Sequence, residues 1–159
     1  MMLTKVSIRP IILGRNLPSE AYLEPLDRVL YSVDLFWAAY DHDLEYLPIE
    51  RLSSTYVDLT LANPWSQVLD AVKNRLDGDQ KAIVLLEGWD VPGNVGWGGN
   101  PLAIVGDFAL RRLLTAGTPD ALMDDGVTGG LIAHEVGHVL GYGHDLISLN
   151  NVMWTGLYN

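Results

Sequence analysis

HEVGHVLGYGHD, residues 134–145, carries three of the chain's four histidines within eleven positions. The apolar residues before it run into it without a break, so the spacing predicts one helix from about Thr128 to Leu140. In an ideal α-helix, residues four apart lie about 40° apart in azimuth and one turn apart in height. His134 and His138 therefore share a face. Ile132, Val136 and Val139 lie roughly 140–200° away, so the helix buries one side and turns the other to a cleft. Glu135 is rotated by about 100° from His134, beside the histidine face, where its carboxylate can exchange a proton with a group held there. A straight continuation would carry His144 about 15 Å along the axis from His134. Gly141 marks the bend, because glycine accepts the left-handed conformation that ends a helix, and Gly143 keeps the next turn free of side-chain clash. His144 can then fold back as a third ligand. Three imidazoles with an open fourth position suit catalytic rather than structural zinc.

A chain of 159 residues with 48% apolar content is expected to form one compact domain with a real core. The absence of cysteine excludes disulfides and thiolate-held zinc, which leaves histidine and carboxylate as the strong metal ligands. The formal net charge is −10, and no Lys or Arg follows Arg112. Nucleic acid is therefore not an expected partner. No apolar run approaches the roughly 20 residues that cross a bilayer, and MMLTKVSIRPIILG lacks the compact apolar core of a secretory signal, so no membrane association and a cytoplasmic location are expected.

Residues 3–13 alternate and run into Gly14 as an opening strand, with Pro10 suggesting an edge or bulge. Ser19 is placed to cap a helix through about Phe36, with Tyr22, Leu26, Val29, Leu30 and Val33 as its apolar stripe. STYVDLTL, 54–61, reads as a short strand. Asn63 and Pro64 open a second helix to about Leu76, and residues 77–80 form a turn. KAIVLLEGW, 81–89, is a buried strand; LAIVGDFAL, 102–110, is another, whose end also suits a helix. The glycine-rich segment between them forms a loop with an irregular edge, in which residues 97–99 suit a substrate-binding edge or lid. Alternating strands and helices imply an α/β sheet core.

HEVGHVLGYGH matches the HExxHxxGxxH signature of the metzincin zinc endopeptidases at every fixed position, and the chain resembles that family. The resemblance implies an α/β (α+β) fold: a twisted mixed sheet with backing helices, an active-site helix and an edge strand antiparallel to bound substrate; with only fifteen residues after His144, the chain departs from the family in an expected very short C-terminal subdomain. It implies one metallopeptidase domain over 1–159, with an upper subdomain 1–141, a hinge at Gly141 and a lower subdomain 142–159. His134, His138 and His144 are then the ligands of one zinc ion per chain, and Glu135 is the general base that activates a zinc-bound water against a peptide or protein substrate. Met153, nine residues after the third histidine, matches the methionine turn beneath the metal. The element order before the motif is most like the archaemetzincins. Their cysteines after the third histidine have no counterpart here, and Asp145 is instead like the aspartate that follows it in adamalysins.

Two other readings keep the metal: a zinc-stabilised binding module or pseudo-protease without catalysis, and a hydrolase of a non-peptide amide. Glu135 argues against the first, since a non-catalytic site needs no carboxylate there; an extended edge strand at the cleft would argue against the second. Outside the motif, His42 between Asp41 and Asp43 is a weaker metal candidate that reads better as a solvated turn. Tyr158 is spaced too far from Met153 for a switching tyrosine and reads as packing.

Overall fold

The first strand, β1 (Thr4–Gly14), organises the whole sheet. In the computed structural model, which describes residues 3–115 and 128–144, β1 lies inside a six-stranded sheet, not at its edge. β2 (His42–Tyr46) pairs with its first half and β3 (Glu50–Ser53) with its second, both parallel, while β4 (Lys81–Leu86) runs parallel along its other side. Pro10 therefore sits within a strand paired on both sides and not at the expected edge or bulge, and the backbone gives the reason. The carbonyls of Ile8 and Gly14 accept bonds from Leu47 and Ser54, on the β2/β3 side, and that of Leu13 accepts from Glu87, on the β4 side. Residues two apart in a strand point their polar groups the same way, so Pro10 turns its missing N–H toward the gap between β2 and β3. No ladder bond is lost.

β6 (Leu102–Val105) continues the parallel set beyond β4, and β5 (Gly96–Gly99) closes this end antiparallel to β6. Both faces of the central strands are buried, as parallel sheets require. One face, with Ile8, Ile12, Ile83, Leu85 and Val105, packs on α1 (Leu23–Ala38), α3 (Asp107–Thr115) and α4 (Thr128–Val139). The other, with Leu13, Val84, Leu86, Leu102 and Ile104, packs on α2 (Trp65–Val72) and Trp89. This is the α/β sheet with backing helices that the sequence pattern implies.

Most of the remaining expectations fall within a few residues. Ser19 accepts from the N–H of Ala21 and opens a single 3-10 turn that leads into α1, whose buried stripe is Leu26, Val29, Leu30, Val33 and Trp37. Asn63 accepts from the N–H of Trp65 at the start of α2. The end of 102–110 is helical, as α3. The strand expected over 54–61 does not form. Ser54 Oγ takes the N–H of Tyr56, and Asp58 Oδ1 takes both the N–H and the hydroxyl of Thr60, so local side-chain bonds hold turns in place of a ladder. Among the described residues no helix is long and apolar enough to cross a membrane.

Candidate metal centre

The site is assembled on α4, which is buried almost all round: Ile132, Ala133 and Val136 are fully enclosed, and even His134 and Glu135 are only 2% and 4% exposed. Two tethers fix the helix from outside. Thr128 Oγ1 donates to the carbonyl of Ala109 in α3, and Trp37 Nε1 of α1 donates to the carbonyl of Ala133, one residue before the first histidine.

The helix ends as the glycine pattern predicts. Gly141 has φ 101°, its N–H reaches the carbonyl of His138, and the N–H of Tyr142 reaches that of Gly137. These paired bonds form a Schellman cap, which satisfies two terminal carbonyls and reverses the chain. His144 is thereby brought back against the helix. Its Nε2 lies 3.2 Å from Nε2 of His134 and 3.0 Å from Nε2 of His138, and one ligand atom from each of the three lies within 4.8 Å of the others. Among the described residues this is the one group of three or more histidine and carboxylate side chains suited to a metal ion.

The donor set fits zinc. Zn–N bonds of about 2.0–2.1 Å in a tetrahedral site separate the nitrogens by roughly 3.4 Å, close to the spacing here. Burial holds His138 below the usual imidazole range, against a smaller upward pull from its bond to Tyr142, which favours the neutral ring a metal needs. A carbonyl has no proton to give, so His138 Nδ1 donates to Tyr142 O at 2.9 Å and leaves Nε2 for the metal.

Glu135 stands beside the triad in the same cleft, of about 310 Å³. Desolvation pushes its carboxyl up to about 8. A dication held by the histidines would draw it down again. The lid of the carboxylate is β5. A Cβ on Gly96 would stand 2.8 Å from Glu135 Oε1, and one on Gly98 would stand 2.8 Å from Oε2 and from His138 Cβ. The strand approaches this closely because both residues lack a side chain. Trp97 between them points away, with Nε1 donating to the carbonyl of Ala62, and is 38% exposed. Gly93, Asn94 and Val95 complete the cleft, where no Lys or Arg lines the wall.

The fold has counterparts among solved structures. Archaemetzincin from Methanopyrus kandleri superposes with TM-score 0.59 at 19% identity, over 92% of this chain and 80% of that one. The chain has the archaemetzincin fold. A zinc-dependent peptidase from Methanocorpusculum labreanum matches with TM-score 0.55 at 17% identity, over 92% and 87% of the two chains. Metalloproteinase-II from Bacteroides fragilis matches with TM-score 0.55 at 16% identity over 100% of this chain, which spans only 49% of that protein. No protein-family model matches the chain, and no curated protein sequence does.

Of the residues singled out in the sequence, the structure brings together His134, Glu135, His138 and His144, with Gly141 at the bend. Asp145, Met153 and Tyr158 lie outside the described residues. Among the described residues His42 joins no metal group; it begins β2 and bonds the phenol of Tyr142 through Nε2. Sequence reasoning missed the role of Gly96 and Gly98. Their signal is two glycines at i and i+2, which clears one face of a strand of every side chain.

Proposed function

We propose that the chain is a zinc-dependent endopeptidase of metzincin type, with one zinc ion per chain held by His134, His138 and His144. The observation that carries the reading is the convergence of the three imidazole nitrogens beside a buried carboxylate in a cleft rimmed by an edge strand. When bound, zinc supplies Lewis acidity: it polarises a carbonyl and lowers the pKa of water. Glu135 accepts the proton that the attacking water gives up and returns it to the leaving amine. Its carboxylate is seated between the triad and the glycines of β5, where a side chain at Gly96 or Gly98 would crowd it.

A peptide is favoured over a compact amide by β5 itself. The strand has β6 on one side and, among the described residues, no strand on the other. Such an edge can add an extended peptide as a further strand and lay its backbone along the cleft. The fold resemblance to zinc-dependent peptidases agrees with this reading. In it, residues 1–159 form one domain, with Gly141 as the hinge between an upper part, 1–141, and a lower part, 142–159.

The test is digestion of a broad library of unstructured peptides by zinc-loaded protein. The expected result is cleavage that a chelator abolishes and added zinc restores. Absence of cleavage at full zinc occupancy would favour a zinc-stabilised binding module.

A further inference from the structure

Among the described residues, little packs against the turn that bears the third histidine. Residues 141–144 are all exposed, and a Cβ built on Gly141 or Gly143 would meet nothing within 4 Å. Glycine also gives up more backbone freedom on ordering than any other residue. The Schellman bonds fix where the helix ends, but they stop at Tyr142. Among the described residues, the side chain of Tyr142, between the two glycines, is the part of this turn that reaches α1 and β2.

That handle is gripped from two sides. The Tyr142 ring stacks on Trp37, with centroids 5.2 Å apart and planes 24° from parallel. Its hydroxyl lies 2.9 Å from His42 Nε2, and the His42 ring meets that of Trp37 edge-on at 5.9 Å. Trp37 is itself pinned to α4 through the carbonyl of Ala133. The ring of Tyr142 is thus tied to the last turn of α1 and the first residue of β2, two elements that carry no ligand. The same residue's backbone oxygen takes the Nδ1 proton of His138. One residue therefore orients the second ligand through its carbonyl and anchors the turn bearing the third through its phenol.

We infer that His42, Trp37 and Tyr142 form a clasp that positions His144 for metal binding, so that His42 and Trp37 act on the metal site from outside it. The inference rests on the zinc reading above. It predicts that loosening the clasp at Tyr142 or His42 weakens zinc binding while the sheet and the helices stay intact, because these two residues lie outside the core cluster to which Trp37 belongs.

Zinc affinity and zinc dissociation rate, measured by competition with a chelator of known affinity, test it. Outer partners of metal ligands are commonly worth about 10- to 100-fold in affinity. Tyr142→Ala is expected to fall in that range, with the melting temperature of the metal-free protein nearly unchanged. Tyr142→Phe keeps the stack and loses the hydrogen bond; His42→Leu loses the same bond from its other end. Each is expected to weaken zinc several-fold, the double variant no more than either alone, and His42→Gln, which can still bond the phenol, to restore most of the loss. Should Tyr142→Ala destabilise the metal-free fold, the Phe, Leu and Gln variants carry the test. Wild-type affinity in Tyr142→Ala, or additive losses in the Phe/Leu pair, overturns the clasp. His144→Ala separates the two claims. If it loses zinc while the clasp variants keep it, only the clasp is wrong; if wild type and His144→Ala bind zinc alike, the zinc reading falls and the clasp with it.

Discussion

Gly98 lies so close to α4 that a Cβ on it would stand 2.5 Å from the backbone carbonyl oxygen of Glu135. The edge strand of the sheet and the helix that carries the histidines meet backbone to backbone at the carboxylate. Because a helix carbonyl cannot swing aside as a flexible side chain can, the strand has to move if Gly98 gains even a methyl group.

Gly98→Ala is therefore expected to destabilise the fold by about 1–3 kcal/mol, the usual cost of overpacking, and to impair any reaction that depends on Glu135. Gly99→Ala is the control, since the nearest atom to its added Cβ is Trp65 Cζ2 at 3.9 Å. Urea unfolding of the two variants checks the pair; equal stability would mean that β5 does not sit against α4 as described.

Gly141 tests conformation without crowding. Its φ of 101° is unfavourable for any side chain, yet an added Cβ there meets nothing. Gly141→Val is expected to weaken zinc binding although it touches no ligand, because a β-branched residue resists the bend that returns His144. Chelator competition measures it, and wild-type affinity would show that the bend is not required.

The buried carboxyl of Glu135 makes a prediction for the metal-free protein. It titrates near 4.5 when unfolded and near 8 when folded, so folding takes up a proton between those values. The contribution of this group to stability is then fullest below about pH 4.5 and is lost as pH rises toward 8. Glu135→Gln removes this titration, so chelated variant should exceed chelated wild type by an amount that grows across the window to the order of a few kcal/mol. Denaturant midpoints at several pH values test it; parallel profiles would mean that the carboxyl is not desolvated.

How far the sequence could be read depended on whether a feature was local. The turn of helix shared by His134 and His138, the side placement of Glu135 and the bend at Gly141 follow from helix geometry and glycine's freedom, and all appear in the structure. The alternation of 54–61 imitated a strand because Ser54 and Asp58 can satisfy the backbone locally, which periodicity does not register. β2 and β3 were missed because HDLEY and ERLS are short and polar and pair with only part of β1. Pro10 misled because its effect depends on which neighbour its nitrogen faces. The contact between His42 and Tyr142 joins positions 100 residues apart, and nothing local in the sequence announces it.

In the proposed function, Glu135 does chemistry beside a metal that it does not hold. Its most direct test is the rate of peptide cleavage by Glu135→Gln against wild type, at matched zinc content and with both folded. General-base catalysis commonly contributes about 10²- to 10⁴-fold, so the account predicts a variant that keeps its zinc and loses at least a hundredfold in rate. Equal cleavage by the two proteins would contradict it, because the proton transfer would then belong to another group.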